Sequence, residues 1–335
     1  MPRHEPSRVA TVFREGALSV GVIAPLRRAP ETAIDYAEQV DLAEHADALG
    51  FAAYWVRDVP LNGSWYPETF GHLDPFVALG AVAARTRAIA LGTAATVLPL
   101  RHPLHVAKAA ASLQALSGDR LLLGLGAGDR PQEFDAFGES LDGRGDAFRE
   151  RWGVLQAALR APDRLAMLGD DFELRPAPFI PPPLYAIGSA GQTVDWIARN
   201  TGGWLTYHRE PGSQRDRHAL WRSAVQRHAP DAFRAFGVAI QIDLTEETGP
   251  ATPIALGYRT GPSGLPDVID EQRALGVHHL IVSLQPTAME PGEALGRIAE
   301  SARRVGALEP THPVGASGPA DGIAGTAASG DARRP

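Results

Sequence analysis

Short apolar runs that alternate with helical stretches, repeatedly from residue 18 to residue 305, constrain this chain more than any other feature. The runs at 18–25, 51–56, 89–97, 121–125, 184–187, 204–207, 236–244 and 279–284 are apolar with only small polar interruptions. Strands covered on both faces read this way. Helical spacing follows nearly every one, at 35–49, 75–85, 104–116, 146–160, 193–200, 215–228, 267–275 and 292–305. In the first, Tyr36, Val40, Ala43 and Ala46 share one stripe, Glu38, Asp41 and Glu44 lie outside it, and Gly50 supplies the cap. About eight strand–helix units predict an α/β fold, a parallel (β/α)8 TIM barrel, for which a length of 335 residues leaves room for insertions. A doubly wound sheet is the alternative. Gly124-x-Gly126-x-Gly128 superficially resembles a dinucleotide turn, but its spacing is wrong and it follows the fourth strand, not the first.

Punctuation sets the boundaries. Residues 1–17 read as an N-terminal extension, 18–310 as the barrel and 311–335, rich in Gly, Ala, Ser and Pro without periodicity, as a disordered tail. Pro162, Pro176, Pro178 and Pro181 to Pro183 make 161–183 a Pro-rich insertion before strand five, with at most a short hairpin around Asp171 to Arg175.

The formal charge of −7, with no block of Lys or Arg to offset it, argues against nucleic acid or an anionic membrane as partner. The absence of Cys excludes disulfides, thiolate metal sites and Cys nucleophiles, and fits a reducing cytoplasm. Residues 1–19 carry charges throughout, so neither a signal peptide nor a membrane span is expected.

A barrel builds its site from the carboxyl ends of its strands. That rule selects Pro25, Arg57-Asp58, Ala94-Ala95-Thr96, Gly126 to Arg130, Gly188 to Thr193, Tyr207-His208 and Ser283 to Gln285. Gly188-Ser-Ala-Gly-Gln-Thr193 joins a strand to a helix, so backbone N–H groups, two hydroxyls and the positive end of a helix dipole converge there. It reads either as a phosphate cradle or as a plain N-cap by Ser189 or Thr193. Arg57-Asp58 reads as catalytic or as a structural ion pair. No metal site is expected: His102 and His105 straddle Pro103 at a turn, and His278-His279 begin a strand. No Gly-x-Ser-x-Gly elbow marks a Ser nucleophile.

The run Leu91-Gly-Thr-Ala-Ala-Thr-Val-Leu-Pro-Leu-Arg-His-Pro-Leu, with Leu116-Ser-Gly-Asp-Arg-Leu-Leu-Leu-Gly after it, resembles bacterial luciferase and its flavin-dependent monooxygenase relatives. Gly50-Phe-Ala-Ala-Tyr-Trp-Val-Arg-Asp58, Phe134-x-x-Phe-Gly138 and Gly188 to Thr193 agree with that family in the same order. The resemblance implies reduced FMN at the carboxyl face, its ring beside a non-proline cis peptide at Ala94-Ala95, near Thr96 and Gly126, and its phosphate on Gly188, Ser189, Ala190 and Thr193. The family's histidine after strand two falls near Val59, leaving His72, His102 or Asp58 as substitutes for that acid/base role. Its cysteine and arginine after strand four correspond to Gly126 and Ala127, with Arg130 as the replacement positive charge near the phosphate. Arg101 or His102 is expected to meet the substrate.

The implied function is an oxidoreductase, a monooxygenase that uses reduced FMN and dioxygen on a small organic molecule. The FMN comes from a separate flavin reductase or is reduced by NAD(P)H. A deazaflavin enzyme transferring hydride and a non-catalytic flavin-binding protein are the alternatives. A cytoplasmic homodimer, joined through early barrel helices, is the expected assembly.

Overall fold

The computed structural model describes residues 9–162, 165, 172–178 and 180–309. Eight parallel strands close a barrel: β1 (Ser19–Ile23), β2 (Ala53–Val56), β3 (Ala90–Thr93), β5 (Leu121–Gly126), β6 (Leu184–Ile187), β7 (Gly203–Tyr207), β8 (Ala235–Leu244) and β11 (His279–Ser283). β11 pairs with both β1 (Val22 opposite Val282) and β8 (Ile281 opposite Ala239), which completes the ring. The predicted (β/α)8 TIM barrel is the fold.

The third strand departs from its expected continuity. It stops at Thr93 and resumes as the two-residue β4 (Thr96–Val97), which pairs with β5 alone, Thr96 opposite Leu125. Between the halves, the Ala94–Ala95 peptide bond is cis, as the resemblance implied. β8 runs for ten residues, and its far half carries a hairpin, β9 (Thr252–Ile254) and β10 (Gly257–Thr260), in which β10 lies parallel to β8.

Helices α2 (Tyr36–Leu49), α3 (Pro75–Arg85), α4 (Pro103–Ser117), α5 (Pro131–Phe137), α6 (Arg144–Arg160), α7 (Val194–Asn200), α8 (Pro211–His228), α9 (Leu265–Ala274) and α10 (Pro291–Arg304) wrap the ring. Asp35 and Asp74 cap α2 and α3 with side-chain oxygens, and Gly50 closes α2 at φ 90°, where a β-carbon would be strained. One face of the strands buries mostly Leu, Val and Ile, with Tyr54, Trp204 and Phe236, under these helices, which forms the larger core.

Inside the barrel the lower layers are filled. α1 (Val9–Val12) lies beneath β1 and sends Val12 and Phe13 into the lumen, where the Phe13 ring packs 4.7 Å from Tyr185. Beside them Trp55 Nε1 donates to His279 Nε2 at 3.0 Å, His279 Nδ1 stands 2.6 Å from Ser19 Oγ, and Ser19 Oγ donates to Val12 O at 2.6 Å. Taken in that order, every buried donor finds an acceptor with a neutral imidazole, its proton on Nδ1. His279 is fully buried, and burial pushes its pKa down to about 3. His279 is thus a packing feature of the barrel floor, while His278 Nδ1 accepts from Phe236 N at 3.0 Å.

In the Pro-rich excursion, two backbone hydrogen bonds draw the ends together, Leu165 N to Phe172 O and Leu174 N to Pro162 O. Asp171, the first residue of the expected hairpin, and the tail at 311–335 lie outside the described residues. Among the described residues, no helix is long and apolar enough to cross a membrane.

Candidate active site

Above Trp55 the lumen opens, because the inward positions of several strands become small. On β8, Val238, Ile240 and Ile242 are buried against helices, while Ala239 and Gln241 between them are partly open. Ala94, Ile187 and Ala239 are only half-buried on the lumen cluster, and Ser283 ends β11 half-exposed. On β5 the side chain is absent altogether at Gly124 and Gly126. A β-carbon on Gly124 would strike Thr93 O, whereas one on Gly126 would meet little but Ala95 Cβ, 3.0 Å away. Beside this ledge the Thr96 hydroxyl is buried with no hydrogen-bond partner among the described residues. A flat, apolar ring with polar edges fits such a surface.

The β6–α7 turn adjoins the ledge: Gly126 lies near Ile187, and Gly191 packs on Ala127 and on Gly145 at the start of α6. Gly188, Ala190 and Gly191 take φ of 63°, 48° and 66°, so the chain reverses tightly, with Ala190 in a region few residues with a β-carbon enter. Thr193 Oγ1 accepts from Trp196 N at 3.2 Å as the N-cap of α7, and Ser189 Oγ accepts from Gly191 N at 3.3 Å. The N-cap reading of Thr193 is thus present in the turn. Among the described residues, nothing accepts from the N–H groups of Ser189, Ala190, Val194 or Asp195. Gln192 ties the turn to α6 by donating to Gly145 O at 2.7 Å.

The charged residues fall into three groups. Asp58 is buried and takes the Arg101 fork on both oxygens, at 2.8 and 2.7 Å, with Val97 N on one of them at 3.0 Å. Arg101 also reaches Asp74 at 2.8 Å, so the pair locks the segment after the cis peptide to the start of α3. His102 is exposed and uses Nδ1 to cap α4 at Leu104 N.

Glu68 is the hub of the second group. Its carboxylate receives Arg57 on both oxygens (2.7 and 2.8 Å), His72 Nε2 at 2.8 Å and Gln285 Nε2 at 2.7 Å. Burial would raise the pKa of Glu68, but His72, Arg57 and Gln285 outweigh it and hold the carboxyl well below its usual range. Burial, with Arg57 adding to it, lowers the pKa of His72 against the pull of Glu68, so the ring is neutral. In the third group Arg130 bonds Glu133 at 2.9 Å and lies 4.5 Å over the Tyr66 ring. Its guanidinium therefore faces the 59–74 loop.

Of the residues selected from sequence, Ala94, Ala95, Gly126 and the turn Gly188 to Thr193 are brought together. Asp58 and Arg101 meet each other in an ion pair, and Arg130 and His102 stand in other surroundings. Sequence reasoning misses Glu68 entirely. Nothing in Trp65-Tyr-Pro-Glu68 marks a carboxylate that collects four donors from two strand ends and its own loop, although Gln285 is among the strand-end candidates.

Comparison with known proteins places this geometry. Residues 18–248 match the luciferase-like monooxygenase family. The chain is 32% identical to an F420-dependent hydroxymycolic acid dehydrogenase of Mycobacterium tuberculosis over 50% of this chain and 48% of the relative. It is also 32% identical to a 4-hydroxyprotoasukamycin monooxygenase of Streptomyces nodosus subsp. asukaensis over 41% of this chain and 36% of the relative. The chain thus matches half or less of the length of these curated relatives. An F420-dependent secondary alcohol dehydrogenase, solved with an F420–acetone adduct, shares the fold with a TM-score of 0.71 at 16% identity, covering 86% of this chain and 99% of that one. The chain belongs to the luciferase-like monooxygenase family.

Proposed function

We propose that this protein is a flavin-dependent oxidoreductase, a monooxygenase that binds reduced FMN across the barrel mouth and oxidises a small organic molecule with dioxygen. One observation carries the reading. A ledge of small residues, Ala94, Ala95 and Gly126, adjoins a turn with unpartnered N–H groups, so a ring site and a phosphate site share one face. The bound flavin supplies the electrons; the protein binds it, orients it and limits water.

In this reading the N–H groups of Ser189 and Ala190, with the Ser189 and Thr193 hydroxyls, hold the phosphate, which adds negative charge at the amino end of α7. Thr96 offers its unpartnered hydroxyl to a polar ring edge. Asp58 and Arg101 act as positioning residues that fix the Ala94–Val97 backbone through Val97 N. His102, exposed at the start of α4, is the residue left to meet substrate, while Arg130, bonded to Glu133 and stacked on Tyr66, sets its positive charge against the 59–74 loop. A separate flavin reductase delivers the reduced cofactor.

A second reading, hydride transfer with a deazaflavin, is favoured by the 32% identity to a dehydrogenase named as F420-dependent. Anaerobic fluorescence titration with FMN, reduced FMN and the deazaflavin F420 separates them. Tightest binding of reduced FMN is expected. Preference for F420 moves the chemistry to hydride transfer, and binding of none removes both.

A further inference from the structure

An apolar cleft of about 50 Å³, room for a few waters or one compact molecule, opens between α2 and α3 beside the strand-end residues Pro25 and Arg57. Val40 of α2, Ala78 and Val82 of α3, and Tyr54 and Val56 of β2 line it, and Gly71 to Leu73 form one end. Nearly all its polar side chains are spoken for. Tyr36 Oη donates to Gly71 O, Gln39 bonds Leu26 through both ends, Tyr54 Oη donates to Gln39 O, and the Arg57 fork is filled by Glu68.

His72 is different. Its Nε2 is held 2.8 Å from the Glu68 carboxylate, so the ring proton sits on Nε2 and Nδ1 carries a lone pair. Nδ1 has no partner among the described residues, yet it is not among the fully buried atoms. His72 lines the cleft and Glu68 does not, and its Nδ1 is the ring nitrogen left unpartnered among the described residues. The cleft is therefore an apolar slot with an acceptor left over at its end.

We propose that this cleft is a second ligand site, which takes a compact, neutral, apolar molecule bearing one hydroxyl, the hydroxyl donating to His72 Nδ1 while the body lies on Val40, Val56, Ala78 and Val82. A charged ligand is disfavoured, since the Arg57 and Glu68 charges beside the cleft already neutralise each other. The site does not depend on which cofactor the barrel mouth holds.

The test uses the full chain and cyclohexanol, followed by ligand-observed NMR, with cyclohexanone as a probe of similar shape that cannot donate. Cyclohexanol is expected to bind roughly fivefold more tightly than cyclohexanone, as one net hydrogen bond implies. Ala78→Trp, which fills the cleft, should abolish binding of both while a cooperative melt shows that the chain is folded. His72→Phe should remove the preference for the alcohol and leave residual binding of both. No binding of cyclohexanol to the wild type, equal binding of the two probes, or undiminished binding to a folded A78W each overturns the proposal. Should A78W fail to fold, V40F reads the same cleft from its other wall.

Discussion

Ala95 and Gly126 lie side by side on neighbouring strand ends, so closely that a β-carbon on Gly126 would lie 3.0 Å from that of Ala95. Gly126 does not need glycine's backbone freedom, as its φ is not positive, so what glycine supplies there is space. Gly126→Ala, whose single β-carbon asks Ala95 to give by a few tenths of an ångström, should therefore fold and narrow the ring site. The expected result is at least a tenfold weaker affinity for FMN, about 1.4 kcal/mol or more, with a melting temperature within a few degrees of wild type. Unchanged FMN affinity would place the ring elsewhere.

At the β6–α7 turn the two readings of Thr193 give separable effects. As N-cap it accepts from Trp196 N, so Thr193→Ala should cost about 1 kcal/mol of stability, and Thr193→Ser little. As a phosphate ligand together with Ser189, its loss in the Ser189→Ala/Thr193→Ala double variant should weaken FMN binding by about 1–3 kcal/mol. Riboflavin, which lacks the phosphate, controls for the ring. If both flavins weaken alike, the turn serves stability and holds no phosphate.

How far the sequence could be read follows from what each residue reports. Strands covered on both faces declare themselves as apolar runs, and the eight barrel strands were legible for that reason. The hairpin β9–β10 was not, since three or four residues such as Thr252-Pro-Ile254 are too few to show a period. Helices α4, α8, α9 and α10 begin two to four residues, or one, before the apolar spacing suggests, at Pro103, Pro211, Leu265 and Pro291. Proline reads as an interruption, yet in the first turn its missing N–H costs nothing. The lumen plug by Val12 and Phe13 and the Glu68 hub were invisible because both depend on contacts between distant segments, Phe13 with Tyr185 and Glu68 with Gln285. The site ledge was legible only through resemblance: Ala and Gly have no side-chain chemistry to announce, and what they provide is the absence of atoms.

His279 gives the fold a dependence on pH. Its ordinary pKa of 6.5 is pushed down to about 3 in the folded chain, so between those values the unfolded chain binds a proton that the folded one does not. The stability this neutral ring contributes is complete above pH 6.5 and is lost as pH falls toward 3. His279→Gln can still accept from Trp55 and donate to Ser19, but it does not titrate. Urea midpoints measured from pH 7 to pH 4 should fall less steeply in H279Q than in wild type; parallel slopes would show that the ring protonates without cost.

Glu68 acts in the same direction but in a different window. Its carboxyl is held well below the ordinary 4.5, so the ionised form stabilises the fold, fully above pH 4.5 and progressively less as pH drops beneath it. Glu68→Gln removes that titration and leaves the Arg57 guanidinium, 18% exposed, without its anion. Breaking a largely buried pair by removing one partner costs about 3 kcal/mol at neutral pH, somewhat less where water still reaches the survivor. Urea unfolding of E68Q should therefore begin from a lower midpoint at pH 7 and show a flatter decline below pH 4.5 only, while H279Q is flatter from pH 6.5 downward. Since Glu68 also holds His72 and Gln285, E68Q should loosen the 59–74 loop, seen as faster amide exchange there and not in the barrel strands. Wild-type exchange in that loop would mean that Arg57 and Gln285 hold it without the carboxylate.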